Sequence, residues 1–149
     1  MHTVIAAGAG FLAAVLWFDL MFDVQARRAG AVPAQVLASI AAYYRRVTIE
    51  ARPMSQLIAA VMLVVLGASI VEVVRGRDAW WVVWPSLGAA GLAIGLALSR
   101  TVPNAVRLGR AQDPVEIQSR LARSILRDHQ LCLAAIAVVL GLQFVAAFS

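Results

Sequence analysis

Residues 55–74 read Ser-Gln-Leu-Ile-Ala-Ala-Val-Met-Leu-Val-Val-Leu-Gly-Ala-Ser-Ile-Val-Glu-Val-Val. No charge interrupts the run from Leu57 to Val71. Its length matches the roughly 20 residues a helix needs to cross a ~30 Å hydrocarbon layer. Backbone groups in that layer must be satisfied within the segment, so the stretch predicts a membrane-spanning helix. Ser55 stands where a helix cap is expected. Glu72 falls near the far end and is expected to meet Arg75 or Arg77 at the surface. The short link Arg75-Gly76-Arg77-Asp78 then makes the next span an antiparallel neighbour.

Three further stretches repeat the pattern. In residues 79–99, Trp80, Trp81 and Trp84 cluster at the start as an interfacial belt. Pro85 follows, and Gly88, Gly91, Gly95 and Ser99 form a small-residue stripe suited to close helix contact. Residues 4–22 carry a similar stripe at Ala6, Gly10 and Ala14. Trp17, Phe18 and two aspartates stand where a signal peptide would have its cleavage site, so this span is expected to be retained. The fourth span covers residues 125–147. Asp113-Pro114-Val115-Glu116 is a helix start with a capping residue, a proline and an acid in order. No breaker follows before Gly141, so one helix from 114 to about 147 would measure ~50 Å, with 114–124 a soluble extension.

Between the first two spans, Val36, Leu37, Ile40, Tyr44 and Val47 recur at helical spacing after Pro33. They predict an amphipathic helix at the membrane interface. The fold class is therefore all-α: one integral membrane four-helix bundle, with an amphipathic helix between spans one and two.

Composition agrees. Of 149 residues, 62% are apolar and 14% charged, where soluble domains carry about 25% charged residues. All 13 basic residues are arginine and the net charge is +5. These arginines flank apolar spans, so membrane lipid is the expected partner and nucleic acid is not. Arg27, Arg28, Arg45, Arg46 and Arg52 lie in the first connection, and Arg75 and Arg77 in the second. Arg100, Arg107, Arg110, Arg120, Arg123 and Arg127 lie in the third. By the positive-inside rule the first and third connections are cytoplasmic and both termini face outward, as in a multi-pass protein of a bacterial-type inner membrane. Cys132 is the single cysteine, so no internal disulfide can form.

The residues with chemical potential interrupt this apolar scheme. Asp19 and Asp23 are one helical turn apart on one face. At that depth they must reach the membrane surface, share a proton, pair with Arg45, Arg46 or Arg107, or hold a cation. His129 belongs to the same end of the bundle. Asp23, Glu50, Arg52, Arg107, Arg127 and His129 are candidates for one polar cluster at the bundle mouth, where helix bundles place ligand and metal sites. Asp19, Asp23 and His129 are the candidate ligands for a divalent metal. His129 is also a candidate acid–base residue or a plain interfacial one, and it shares a face with Cys132. Trp17 is placed to line a pocket for an apolar ligand. Bis-histidine haem is disfavoured, because His2 and His129 fall on opposite membrane faces. The chain has no Walker loop, no HExxH and no GxSxG.

The stretch Thr101-Val102-Pro103-Asn104-Ala105-Val106-Arg107-Leu108, the helix opened by Asp113-Pro114, and Arg127-Asp128-His129 at the last span resemble the anthrone-oxygenase-like family of small four-helix membrane proteins. The resemblance implies a cofactor-independent oxygenase of polycyclic substrates. Asn104, Arg107 and His129 would then bind or deprotonate an enolisable substrate whose carbanion meets oxygen. The two aspartates of the first span depart from the family pattern.

Three functional classes remain open. One is an accessory or structural subunit, packing through its glycine and alanine stripes into a homo-oligomer or a larger membrane complex. Another is a membrane enzyme acting on a lipophilic substrate. The last is a transporter, which four helices could form only by oligomerising.

Overall fold

A computed structural model describes residues 1–27 and 32–148, and these are all helix and short connections. Arg28 lies outside the described residues, as does the side chain of Arg52. The helices are α1 (His2–Asp23), α2 (Ala34–Tyr44), α3 (Arg52–Arg75), α4 (Trp80–Leu96), α5 (Val102–Arg110) and α6 (Val115–Phe148). A tight 3₁₀ turn, Val24–Arg27, prolongs α1. Two wide π-helical turns, Arg45–Glu50 and Ala97–Thr101, lead into α3 and join α4 to α5.

Four helical stretches are long and apolar enough to cross a membrane: His2–Arg27, Pro53–Arg75, Trp80–Arg110 and Val115–Phe148. Large apolar side chains such as Leu63, Val74, Leu92 and Phe144 point outward along them. A soluble monomer rarely exposes apolar patches beyond a few hundred Å², so this belt suits a hydrocarbon solvent. The chain is built as a membrane protein.

α6 is the central element, packed against both α1 and α4, with α3 closing the bundle against them. The membrane-level core is made by Ile5, Ala9, Val65, Ala90, Ile136 and Val139. A second core lies at the arginine-rich end. There Leu37, Ile40 and Tyr44 of α2 meet Ala105 and Leu108 of α5 and Ala122 and Ile125 of α6. The amphipathic helix thus buries its apolar stripe on protein instead of resting it on lipid, because α5 and the first turns of α6 offer a matching apolar face.

The third span runs further than 79–99. It continues through Pro103 as one helical path to Arg110. Proline lacks an N–H and would break an ordinary helix interior, but here it occupies the first turn of α5, after the π turn has already widened the backbone. Asp113 does not cap α6 with its side chain. The Pro114 carbonyl accepts from the Ile117 and Gln118 amides, while the Asp113 carboxylate takes a two-pronged bond from Arg107 at 2.8 Å and 2.8 Å. Ser55 is likewise not the cap of its span, which starts at Arg52 with Pro53 in its first turn.

Close helix approach occurs at glycines other than those of the stripes. A β-carbon on Gly8 would collide with Val65, and one on Gly109 would sit 2.8 Å from the Arg45 backbone nitrogen. Gly10, Gly88, Gly91 and Gly95 face open space within 4 Å. Gly109→Ala should therefore destabilise the protein by about 1–3 kcal/mol, since backbone and not a flexible side chain must move. Gly91→Ala should be neutral or stabilising by up to about 1 kcal/mol through helix propensity. Thermal unfolding of the two variants in the same detergent checks the contrast.

Candidate functional site

At the arginine-rich end, period and length bring three elements to one point. Asp19 and Asp23 lie one turn apart on the inward face of α1, and both are buried, Asp23 with 0% exposure. The last turn of α2 places the adjacent Tyr43 and Tyr44 above them. His129, also buried, projects from α6.

The contacts form a chain. The Tyr44 hydroxyl donates to Asp23 Oδ1 at 2.6 Å, and Asp23 Oδ2 lies 2.6 Å from His129 Nδ1. The Tyr43 hydroxyl donates to Asp19 Oδ1 at 2.6 Å, and Asp19 Oδ2 lies 3.8 Å from His129 Nε2. A carboxylate can only accept, so Nδ1 carries the proton in the Asp23 bond. The neutral ring then keeps its lone pair on Nε2. The 3.8 Å gap to Asp19 is too long for a hydrogen bond. Phe22 stacks on Tyr43 with ring centres 4.0 Å apart, which fixes the first phenol.

The aspartates are therefore partnered by tyrosines and histidine, not by Arg45, Arg46 or Arg107. Arg45 donates to the Gly109 carbonyl at 3.0 Å, and Arg107 is committed to Asp113. This bidentate pairing holds the Asp113 carboxyl below its ordinary range. Of the candidate cluster Asp23, Glu50, Arg52, Arg107, Arg127 and His129, the structure brings Asp23 and His129 together and places Arg107 and Arg127 elsewhere, the Arg52 side chain lying outside the described residues. Arg107, Arg127 and Asn104 instead line a wide groove with Arg27, Arg120 and Arg123, while His129 faces a different cavity. Asn104 and Arg107 thus lie on the groove side of α5, apart from His129.

As for metal ligation, Asp23 and Asp19 approach opposite nitrogens of the His129 ring. They make a hydrogen-bonded relay, and among the described residues the group of three histidine or acidic side chains whose donor atoms close within 4.8 Å is a different one. Trp17 is 63% exposed and faces outward, away from the pocket.

The cavity beside His129 has a volume of about 330 Å³. Its walls are mostly apolar, with Leu16, Ile58, Met62, Ile94 and Ile136 among them. Asp19, Tyr44, Thr48, Thr101, His129 and Cys132 supply its polar and sulfur-bearing edge. Asp23 is absent from the lining, whereas Asp19, which lies on the Nε2 side of the ring, is part of it. Both π turns border this space, through Val47 and Thr48 on one side and Ala97, Leu98 and Thr101 on the other. Such turns widen a helix and often occur at functional sites. Next to the cavity, the Cys132 thiol donates to the Ala93 carbonyl at 3.4 Å, and Arg100 lies 3.4 Å from buried Asp128.

Sequence reading found both aspartates and the histidine but took Tyr44 only as part of an apolar stripe and gave Tyr43 no role. The available signal was that the chain's only two tyrosines are adjacent and immediately precede the basic pair Arg45-Arg46. At the opposite end it missed a second polar group, in which Glu72 meets His2 instead of Arg75 or Arg77.

The phenols give the site a spectroscopic handle. Burial, with the nearby carboxylates, pushes both tyrosines above their ordinary 10.0, Tyr44 well above it. A folded-state value above the unfolded one means this contribution to stability is full below pH 10.0 and is lost as pH rises through the folded value. Near-ultraviolet titration should show no phenolate while the protein stays folded at pH 10.0, and Asp23→Asn should bring the onset down. A normal tyrosine titration in the folded wild type would contradict the site.

No family model, no curated protein and no solved structure matches the chain, so its function has to be inferred from this chemistry.

Proposed function

We propose that the protein is a membrane enzyme that abstracts a proton from a lipophilic substrate, with His129 as the base. The observation that carries this reading is the Asp23–His129 contact of 2.6 Å behind an apolar cavity of about 330 Å³. Asp23 fixes the tautomer and orientation of the ring, as a carboxylate does for a catalytic histidine. Tyr44 in turn satisfies the other Asp23 oxygen. Proton uptake at Nε2 would place the imidazolium between two carboxylates, which compensates charge in a site of low dielectric. Histidine is the usual residue for such transfer near neutral pH.

The cavity suits a largely apolar molecule with one acidic C–H or O–H turned to the polar edge. The substrate bond to hydrogen breaks, the proton moves to Nε2, and the electron pair stays on the substrate as an enolate or phenolate. An anthrone-oxygenase-like activity is one continuation, in which the carbanion adds to dioxygen. In this reading Asn104 and Arg107 act outside the cavity, in the arginine-lined groove. That groove would face the cytoplasm of a bacterial-type inner membrane, with both termini outside, as the arginine distribution favours.

The test uses purified protein in detergent and a panel of lipophilic ketones and phenols, first screened by thermal shift. Each binding ketone is then incubated in D₂O, and exchange at its α-carbon is followed by mass spectrometry. Wild type should catalyse exchange, and His129→Gln should slow it by about 10²–10⁴-fold, the usual contribution of a general base. Asp23→Asn should slow it less while leaving substrate affinity nearly unchanged. Exchange that survives in His129→Gln would remove the histidine from this role.

A further inference from the structure

At the arginine-poor end of the bundle, four elements bring polar side chains together. His2 opens α1, Glu72 lies in the last turns of α3, Asp78 sits in the link to α4, and Gln143 comes from α6. One donor atom each from His2, Glu72 and Asp78 lies within 4.8 Å of the others. Among the described residues this is the only group of three histidine, cysteine or acidic side chains that close.

Two features go beyond a chance cluster of acids. Glu72 is 1% exposed, yet neither of its carboxylate oxygens has a hydrogen bond of good geometry, and its neighbours are His2 Nδ1 at 3.3 Å and the Gln143 side chain. A buried carboxylate without hydrogen bonds is costly, and a bound cation is one of the few ways to offset that cost. The second feature is the state of the His2 ring. Gln143 Oε1 lies 2.7 Å from Nδ1, and an amide oxygen can only accept, so Nδ1 holds a proton. The Gln143 amide is oriented in turn by its donation to the Ser86 hydroxyl at 3.2 Å. In the neutral ring, Nε2 then directs its lone pair at Asp78 Oδ1, only 3.1 Å away. Two acceptors at that distance need a positive centre between them, either a proton or a metal ion. A ligating histidine whose other nitrogen donates to a fixed carbonyl is the usual outer-shell arrangement around a metal.

We propose that His2, Glu72 and Asp78 form a binding site for a first-row divalent cation, with Gln143 and Ser86 orienting the histidine. One imidazole nitrogen and two carboxylates suit zinc, manganese or ferrous iron better than magnesium or calcium, which favour oxygen ligands alone. With metal–ligand bonds of about 2.0–2.2 Å, His2 Nε2 and Asp78 Oδ1 already stand at a suitable 3.1 Å, and the Glu72 carboxylate, now 3.3 Å from Nδ1, would swing toward them. Three protein ligands leave at least one coordination position for water or another small ligand. The ion would tie the start of α1 to the end of α3 and to the link before α4. Its place is a full helix length from His129, since Asp19 follows His2 by seventeen positions, or ~26 Å along α1. The site is therefore independent of the proton-abstraction site.

The experiment uses the full chain in detergent, with the affinity tag removed. Zn²⁺ binding is measured by equilibrium dialysis and elemental mass spectrometry, and Co²⁺ is added separately to read coordination from its visible absorption. The wild type should bind one equivalent of Zn²⁺, gain thermal stability with added metal, and give a Co²⁺ spectrum of low coordination number. Glu72→Gln and Asp78→Asn should each weaken binding by at least about tenfold. Both are near-isosteric, and Glu72→Gln removes a buried charge, so the metal-free variants should stay folded, as circular dichroism and size exclusion will report. Asp19→Asn, at the other end, should keep full affinity. Folded wild type that binds no Zn²⁺, or binding that survives both carboxylate substitutions, would overturn the proposal.

Discussion

Asp23 is a carboxyl group with no exposure, near the end of a membrane-crossing helix. Removing such a group from water is expensive unless hydrogen bonds replace the lost solvation. Its two oxygens are each taken at 2.6 Å, one by Tyr44 and one by His129. That requirement sets much of the architecture at this end. α2 must fold back so that its last turn covers the end of α1, and α6 must be rotated so that His129 faces inward. The second apolar core, built from α2, α5 and the start of α6, is the packing that makes this return possible.

The bundle has two polar ends of different character, separated by an apolar middle. At one end, Asp19 and Asp23 are partnered by tyrosine hydroxyls and a histidine, and the arginines serve other groups. Arg45 braces a backbone carbonyl and Arg107 is forked onto Asp113, while Asn104 and further arginines line an open groove. Asp19 and Asp23 are thereby left to the tyrosines and His129, while Arg100 is the guanidinium next to the cavity and pairs with Asp128. At the other end, Glu72 is buried without a hydrogen-bonded partner, so its charge balance there is of another kind.

The cavity beside His129 depends on local departures from ideal helix. Each π turn inserts extra backbone into a helical path, which widens the turn and offsets the faces before and after it. The turn at Ala97–Thr101 lets α4 continue through Pro103 into α5, and the turn at Arg45–Glu50 carries α2 into α3. Nothing in hydropathy announces such a turn, because it changes backbone spacing and not composition. Pro103 was the one local sign, and its natural reading is a helix end.

Much of the fold was legible in the chain itself. A bilayer imposes a length and a polarity on any helix that crosses it, so four apolar stretches and the sorting of arginines between connections were readable without a structure. The periodicity of α2 and the pairing of Asp19 with Asp23 on one face follow from 3.6 residues per turn in the same way. Period alone tells which residues share a face, but not which neighbour that face meets. Asp23 and His129 are 106 positions apart, and their contact depends on the rotation of α1 and α6 about their own axes. The choice of Tyr43 and Tyr44 over the nearby arginines as partners for the aspartates, the separation of Asn104 and Arg107 from His129, and the meeting of His2 with Glu72 and Asp78 were all decided there. Side-chain packing between helices sets those rotations, and that information is spread over the whole core.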